Sequence, residues 1–184
     1  IVLIDAMQAL NAGPHALADL ERALSEILVT FRTGSGGWLP SLFTHRIDRI
    51  LIAATKADQL HHSGHDRLEA IARRLADRAI SRAAYTGAAV DVVAMAAVRS
   101  TREATAKQDG ESLSVIVGVP LQGETIGDDL FDGKAETAIF PGDLPEKPDS
   151  IFQLDESTHE RAFRFIKFRP PKLETTAEGL TLSL

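Results

Sequence analysis

The sequence predicts an α/β fold: part of a doubly wound parallel sheet, followed by a smaller β-rich appendage. Three observations carry this reading. Three short apolar runs recur, Ile1-Val2-Leu3-Ile4, Ile50-Leu51-Ile52-Ala53-Ala54 and Val90 to Val98, without the polar alternation of a half-exposed strand. Amphipathic helical patterns separate them, and a strand-helix-strand-helix-strand order implies parallel strands joined by crossovers. Beyond residue 103 the pattern changes to short strands punctuated by Gly, Pro and Asp, so the chain divides into residues 1–103 and 104–184.

The first run is followed by Asp5 and then by Asn11-Ala12-Gly13-Pro14, turn chemistry that places Pro14 in the first turn of a helix. That helix carries Leu17, Leu20, Ala23, Leu24, Ile27, Leu28 and Phe31 at three- and four-residue spacing. Thr33 to Gly37 breaks it, and Trp38 to Phe43 reads as an apolar loop that packs. Gly34-Ser35-Gly36-Gly37 follows a helix rather than a strand and lacks a Gly-Lys-Ser/Thr ending, so it is not a phosphate loop. The run at Ile50 is the most apolar and is expected to lie mid-sheet with helices on both faces. From His65 a single amphipathic helix is expected, with Leu68, Ile71, Ala72, Leu75, Ala79 and Ala83 as its stripe and Ser63-x-x-Asp66 as a capping box. Its five arginines read as a solvated face paired with Glu69 and Asp77.

Charge is unevenly spread in the last third. Residues 122–160 hold eleven Asp or Glu against Lys134 and Lys147, and residues 161–172 hold five cations and no acid. The acidic part reads as loop, Leu113 to Leu121 and Thr137 to Phe140 as strands, and Arg161 to Phe168 as a further strand stopped by Pro170-Pro171. Three Phe residues in that last segment are expected in a core rather than on nucleic acid or lipid. The apolar first residue and the uncapped end read as a fragment, with earlier residues belonging to the same fold.

Composition narrows the chemistry. With no cysteine among 184 residues, disulfides, thiolate metal sites and cysteine nucleophiles are excluded, in keeping with a cytoplasmic setting. A formal charge of −6 disfavours general nucleic-acid binding. No apolar run reaches the roughly 18 residues of a transmembrane helix, which leaves membrane association to a protein partner.

The residues with most chemical content are Thr55-Lys56-Ala57-Asp58, at the carboxyl end of the central run, where open α/β sheets bind ligands. They have the form of the guanine-reading motif Asn-Lys-x-Asp. Guanine presents two adjacent donors, which one carboxylate accepts together; adenine presents an acceptor there instead. Asp58 is therefore the candidate base reader. The Lys56 stem would lie along base and ribose, and the Thr55 hydroxyl would tie neighbouring loops together. A second base loop is expected at Ala96, Ala97 and Val98, where GTP-binding domains place Ser-Ala-Lys and where small side chains admit the base.

The phrases Leu3-Ile4-Asp5-Ala6, Leu10-Asn11-Ala12-Gly13-Pro14, Ala53-Ala54-Thr55-Lys56-Ala57-Asp58, Ala97-Val98-Arg99-Ser100-Thr101 and Phe168-Arg169-Pro170-Pro171 resemble the YcjX family of bacterial P-loop NTPases, associated with stress responses. Thr55 in place of Asn fits that family, whereas Ala96 for Ser and Val98 for Lys depart from ordinary GTP-binding domains. The resemblance implies the carboxyl-terminal half of a G-domain-like fold that binds GTP or GDP. Hydrolysis with Mg²⁺ would then occur only in the intact protein, since no Gly-Lys-Ser/Thr loop occurs here. The alternative is an interaction module, nucleotide-gated or nucleotide-independent, whose appendage binds a protein partner. A dinucleotide-dependent dehydrogenase is disfavoured, because no Gly-x-Gly-x-x-Gly follows a strand. Asp5 is assigned a structural role, and His61, His62 and His65 lack the spacing and supporting groups of a zinc site, reading as a solvated helix entry.

Overall fold

The three apolar runs pair as parallel strands in the order β1 (Val2–Ile4), β2 (Arg49–Ala54) and β3 (Ala89–Ala94), with β2 in the middle. The structure is a computed structural model that describes residues 1–30, 47–85, 87–108, 110–176 and 179–183. The loop expected at Trp38 to Phe43, and Phe31 of the helix before it, lie outside the described residues. Ile52 stands opposite Val2 on one side and Val92 on the other.

Between β1 and β2 the chain forms α1 (Ala6–Ala12) and α2 (Pro14–Thr30). Helix α1 has no counterpart in the sequence reading. Asp5 starts it by accepting the Gln8 N–H at 2.9 Å, and Gly13, at φ 99°, ends it in a conformation that disfavours other residues. Pro14 opens α2, as its fixed φ and missing N–H favour.

Between β2 and β3, the expected helix is two: α3 (His65–Leu75) and α4 (Asp77–Tyr85). Their stripe is nonetheless the expected one, since Leu68, Ile71, Ala72, Leu75, Ala79 and Ala83 are all buried. Ala76 leaves helical geometry, but the N–H bonds from Ala76 to Ala72 and from Ile80 to Ala76 carry the stripe across the break. The capping box is absent. Gly64 is the N-cap residue, and Ser63 bonds the His61 ring instead.

The helices cover one face of the sheet. Ile4, Ile50, Ile52, Ala54 and Val92 join α1 to α4 in the main core, all on alternate positions of their strands. On the other face Ala53 is buried, Leu51 and Val93 are half-buried, and Leu3 is 65% exposed. The expectation of helices on both faces thus fails among the described residues. An unbroken apolar run sets no limit on which face the helices choose. Strand β3 also ends at Ala94, four residues short of Val98, because Met95 leaves the ladder after its N–H reaches the Ala54 carbonyl at 2.9 Å.

The remaining chain forms antiparallel pairs. Strand β4 (Thr101–Gln108) pairs with β5 (Glu111–Gly118), and β5 with β8 (Thr137–Ile139). Strands β6 (Thr125–Ile126) and β7 (Asp129–Leu130) form one hairpin, and β9 (Lys172–Thr176) and β10 (Gly179–Ser183) another. Strand β4 runs unbroken across residue 103, where the composition changes. Leu144, Ile151, Phe163 and Phe165 join the main core, so this part shares its hydrophobic interior with α1 to α4.

The segment Arg161 to Phe168 is not a strand. Helix α5 (Glu156–Ala162) takes its start, capped by Asp155, which accepts the Thr158 N–H at 2.8 Å. Extended chain follows, with a single bridge between Phe168 and Pro120 made by Leu121 N–H to the Lys167 carbonyl and Arg169 N–H to the Val119 carbonyl, and the Lys167 N–H goes to the Glu124 carboxylate at 3.3 Å instead of extending a ladder. Phe163, Phe165 and Phe168 are buried, which places them in the cores as expected. Asn11 clamps this segment to α1. Its side chain donates to the Phe165 carbonyl at 2.6 Å and accepts the Phe165 N–H at 2.7 Å. Among the described residues, two cations of α3 pair outside their helix: Arg74 binds Glu21 and Asp149, and Arg67 reaches Asp143 and Glu146.

His159 of α5 is 1% exposed and packs edge-on against Phe163, and neither ring nitrogen has a hydrogen-bond partner among the described residues. Desolvation pushes its pKa below the ordinary 6.5. The unfolded chain therefore binds a proton more readily than the folded one, so stability is whole above pH 6.5 and falls as pH drops towards the depressed folded value. His159→Leu is expected to flatten that decline and to raise stability at pH 7 by about 1 kcal/mol, by removing two unpaired polar atoms. Urea midpoints at pH 7 and pH 5.5 check this. An unaltered pH dependence in the variant would count against a neutral, unpaired histidine.

Candidate nucleotide-base site

Two strand ends and the chain after β3 build the candidate site. Leaving β2, Thr55 turns back on β1: its N–H donates to the Ile4 carbonyl at 2.8 Å and its Oγ1 at 3.1 Å. The next residue, Lys56, has φ 62°, and it is the one described residue other than glycine in the left-handed region. A strained backbone of this kind persists where its surroundings over-determine it, and here they are well defined. Lys56 Nζ contacts Asp5 Oδ2 at 2.5 Å, and Ala57 N–H donates to the Met95 carbonyl at 3.2 Å. From the helix side, His65 Nε2 lies 2.9 Å from the Ala57 carbonyl. Asp5 thus serves α1 with one oxygen and Lys56 with the other, a structural role.

Asp58 follows in a short 3₁₀ turn (Ala57–Gln59) and is only 8% exposed. A carboxylate so placed needs donors, because its lost hydration is otherwise costly. Ser100 supplies two, its N–H and its Oγ, both 2.7 Å from Asp58 Oδ2. Thr101 Oγ1 donates to the Asp58 carbonyl. Among the described residues no hydrogen-bond donor reaches Oδ1, which keeps its acceptor capacity.

The cleft beside Asp58 has a volume of about 400 Å³. Thr55, Lys56, Asp58, Ala96, Ala97 and Val98 line one side, so the structure brings all six sequence-predicted residues together. Leu121, Lys167, Phe168, Pro170 and Pro171 form the other side. Its walls are mostly apolar, with Thr55, Gln59, Ser100, two lysines and the Asp58 carboxylate as polar groups. An arrangement like this can take a flat, partly apolar ring whose edge carries hydrogen-bond donors.

Several residues that shape the site had no site role in the sequence reading. Ser100 and Thr101 were quoted only within a family phrase, although a hydroxyl pair just after an apolar loop is a signal that can be read. Glu69 of α3, expected to pair with the arginines of its helix, instead accepts the Ala94 N–H at 2.9 Å and so holds the end of β3. The wall around Phe168 follows from a close approach: a Cβ on Gly118 would stand 2.7 Å from the Phe168 ring and 2.9 Å from the Ser100 carbonyl. Glycine at 118 therefore lets both walls of the cleft pack on β5.

A second polar group lies nearby. Glu103 of β4 accepts the His62 backbone N–H at 2.8 Å through Oε1, and its Oε2 lies 2.8 Å from His62 Nδ1 and 3.9 Å from His61 Nε2. Burial would raise the Glu103 carboxyl, but the His62 ring and backbone hydrogen bonds outweigh it and hold it below the usual carboxylate range.

The profile of the YcjX-like family, DUF463, matches residues 1–183. Two relatives are each named Ras-like GTPase YcjX. The one from Escherichia coli K12 is 30% identical over 175 residues, 95% of this chain and 34% of its own length. The one from Shewanella oneidensis MR-1 is 28% identical over 172 residues, 93% of this chain and 32% of its own length. The chain therefore spans about a third of the curated relatives it matches. With a match from end to end, the chain belongs to the YcjX-like family.

Proposed function

We propose that this chain carries the base-reading half of a guanine-nucleotide site in a GTPase, with Asp58 accepting the two adjacent donors of the guanine edge. The observation that carries the reading is the Asp58 carboxylate, nearly buried beyond the end of the central strand, held through Oδ2 by Ser100 and lining the same cleft as Thr55, Lys56 and Ala96 to Val98. Small side chains at Ala96 and Ala97 admit a ring to that edge, and the Lys56 stem borders it. The names of both relatives support the same class. The residues of the cleft fit a base. The sequence has no Gly-Lys-Ser/Thr loop, so phosphate and Mg²⁺ chemistry is assigned to other parts of a full-length protein.

The test is competition in a full-length protein that carries this segment. Two charge-assisted hydrogen bonds, each contributing about 1.5–3 kcal/mol, distinguish guanine from adenine. Unlabelled GDP is expected to displace a fluorescent guanine nucleotide at least a hundredfold more effectively than ADP. Equal displacement by ADP would defeat the reading.

A second reading, an interaction module with little or no hydrolysis, is favoured by the exposed leucines of the appendage, Leu130, Leu173 and Leu182. Turnover separates the two: GTP binding without hydrolysis above background supports the module.

A further inference from the structure

We propose that His61, His62 and Glu103 form a binding site for a single zinc-class divalent cation, joining the chain after the base-reading turn to β4. One ligand atom from each lies within 4.8 Å of the others. The pair distances to Glu103 Oε2 are 2.8 Å from His62 Nδ1 and 3.9 Å from His61 Nε2. Ligand atoms around a tetrahedral zinc stand about 3.3 Å apart, from bond lengths of about 2.0–2.1 Å, so the observed distances bracket that value and small side-chain rotations meet it.

The protons can be placed. His61 Nδ1 accepts the Ser63 N–H at 3.3 Å and lies 2.8 Å from Ser63 Oγ; cation binding through Nε2 would move the imidazole proton to Nδ1, with Ser63 Oγ as its acceptor. Ser63 is then the outer group that fixes the tautomer, as ligand histidines usually require. His62 takes the complementary form, with its proton moved to Nε2 and Nδ1 facing the cation. Glu103 supplies a charged oxygen, and its Oε1 stays anchored on the His62 N–H. Two imidazoles and one carboxylate are the donor set of open zinc sites, with the fourth position left for water or another ligand. The sequence reading rejected zinc here because His61, His62 and His65 lack helical i, i+4 pairing and an obvious supporting shell. The fold supplies Glu103 from forty-one residues away and assigns His65 elsewhere, to the Ala57 carbonyl.

The position has a consequence for the neighbouring turn. Glu103 lies two residues beyond Thr101, which donates to the Asp58 carbonyl, and His61 lies three beyond Asp58. A cation here would tie both flanks of the Asp58 turn together. Cation binding itself does not depend on the nucleotide reading.

Full-length protein is titrated with Co²⁺ as the probe, in excess Mg²⁺ to occupy oxygen-only sites. One equivalent is expected to produce the strong visible absorption of a low-coordinate site, bleached by one equivalent of Zn²⁺. His62→Ala and Glu103→Ala should each weaken binding at least tenfold, and His15→Ala, at a distant exposed histidine, should leave it unchanged. Should either alanine variant fail to fold by circular dichroism, Glu103→Gln carries the comparison, since it keeps an acceptor for the His62 N–H and removes the charge. Absence of the visible band in the wild type, or a Glu103→Gln affinity within threefold of it, overturns the proposal.

Discussion

Asp58→Asn is expected to lower GTP affinity of a full-length protein about 30- to 1,000-fold, a loss of about 2–4 kcal/mol, and to raise affinity for xanthosine triphosphate. The direction follows from Ser100. Its N–H can only donate, so in the variant the amide carbonyl must occupy the Oδ2 position, which leaves the amide NH₂ pointing into the cleft. A donor then faces the two donors of guanine. Xanthine carries a carbonyl in place of the exocyclic amine and accepts that hydrogen bond. Equilibrium binding of both nucleotides, with circular dichroism to confirm folding, measures the exchange. Unchanged GTP affinity in a folded variant would remove Asp58 from the base site.

Ile52→Ala is expected to cost about 2–5 kcal/mol of stability, a large part of the 5–15 kcal/mol typical of a domain. Ile52 has no exposed surface and lies at the centre of the middle strand, on the face covered by α1 to α4. Truncation loses burial and leaves a cavity among side chains from both neighbouring strands and the helices above. Leu51→Ala, one residue earlier and on the less covered face, should cost less than half as much. Urea midpoints of the two variants compare the faces directly. A greater loss for Leu51→Ala would mean that the inner face has been misassigned.

The two substitutions meet in one short stretch, since β2 ends at Ala54 and the base-reading turn begins at Thr55. The strand gives the turn a rigid mount, and the turn holds the one strained non-glycine residue described, Lys56. Loosening β2 should therefore affect nucleotide binding as well as stability, whereas Asp58→Asn affects binding alone.

Local pattern determined a good deal by itself. The three apolar runs, the buried stripe of α3 and α4, the start of α2 at Pro14 and the burial of the three Phe residues all depend on periodicity or proline geometry, which neighbouring residues encode. The Thr55-Lys56-x-Asp58 motif was legible for the same reason, since its chemistry lies within four consecutive residues at the end of an apolar run. What only the tertiary structure decided involves partners distant in sequence. Ser100 on Asp58, Glu69 on the end of β3, Asn11 on Phe165 and Glu103 on His62 each join residues 25 to 154 positions apart. The start of the strand expected from Arg161 to Phe168 lies within α5 and belongs here too. In each pairing the partner lies on a distant element, which local sequence does not encode.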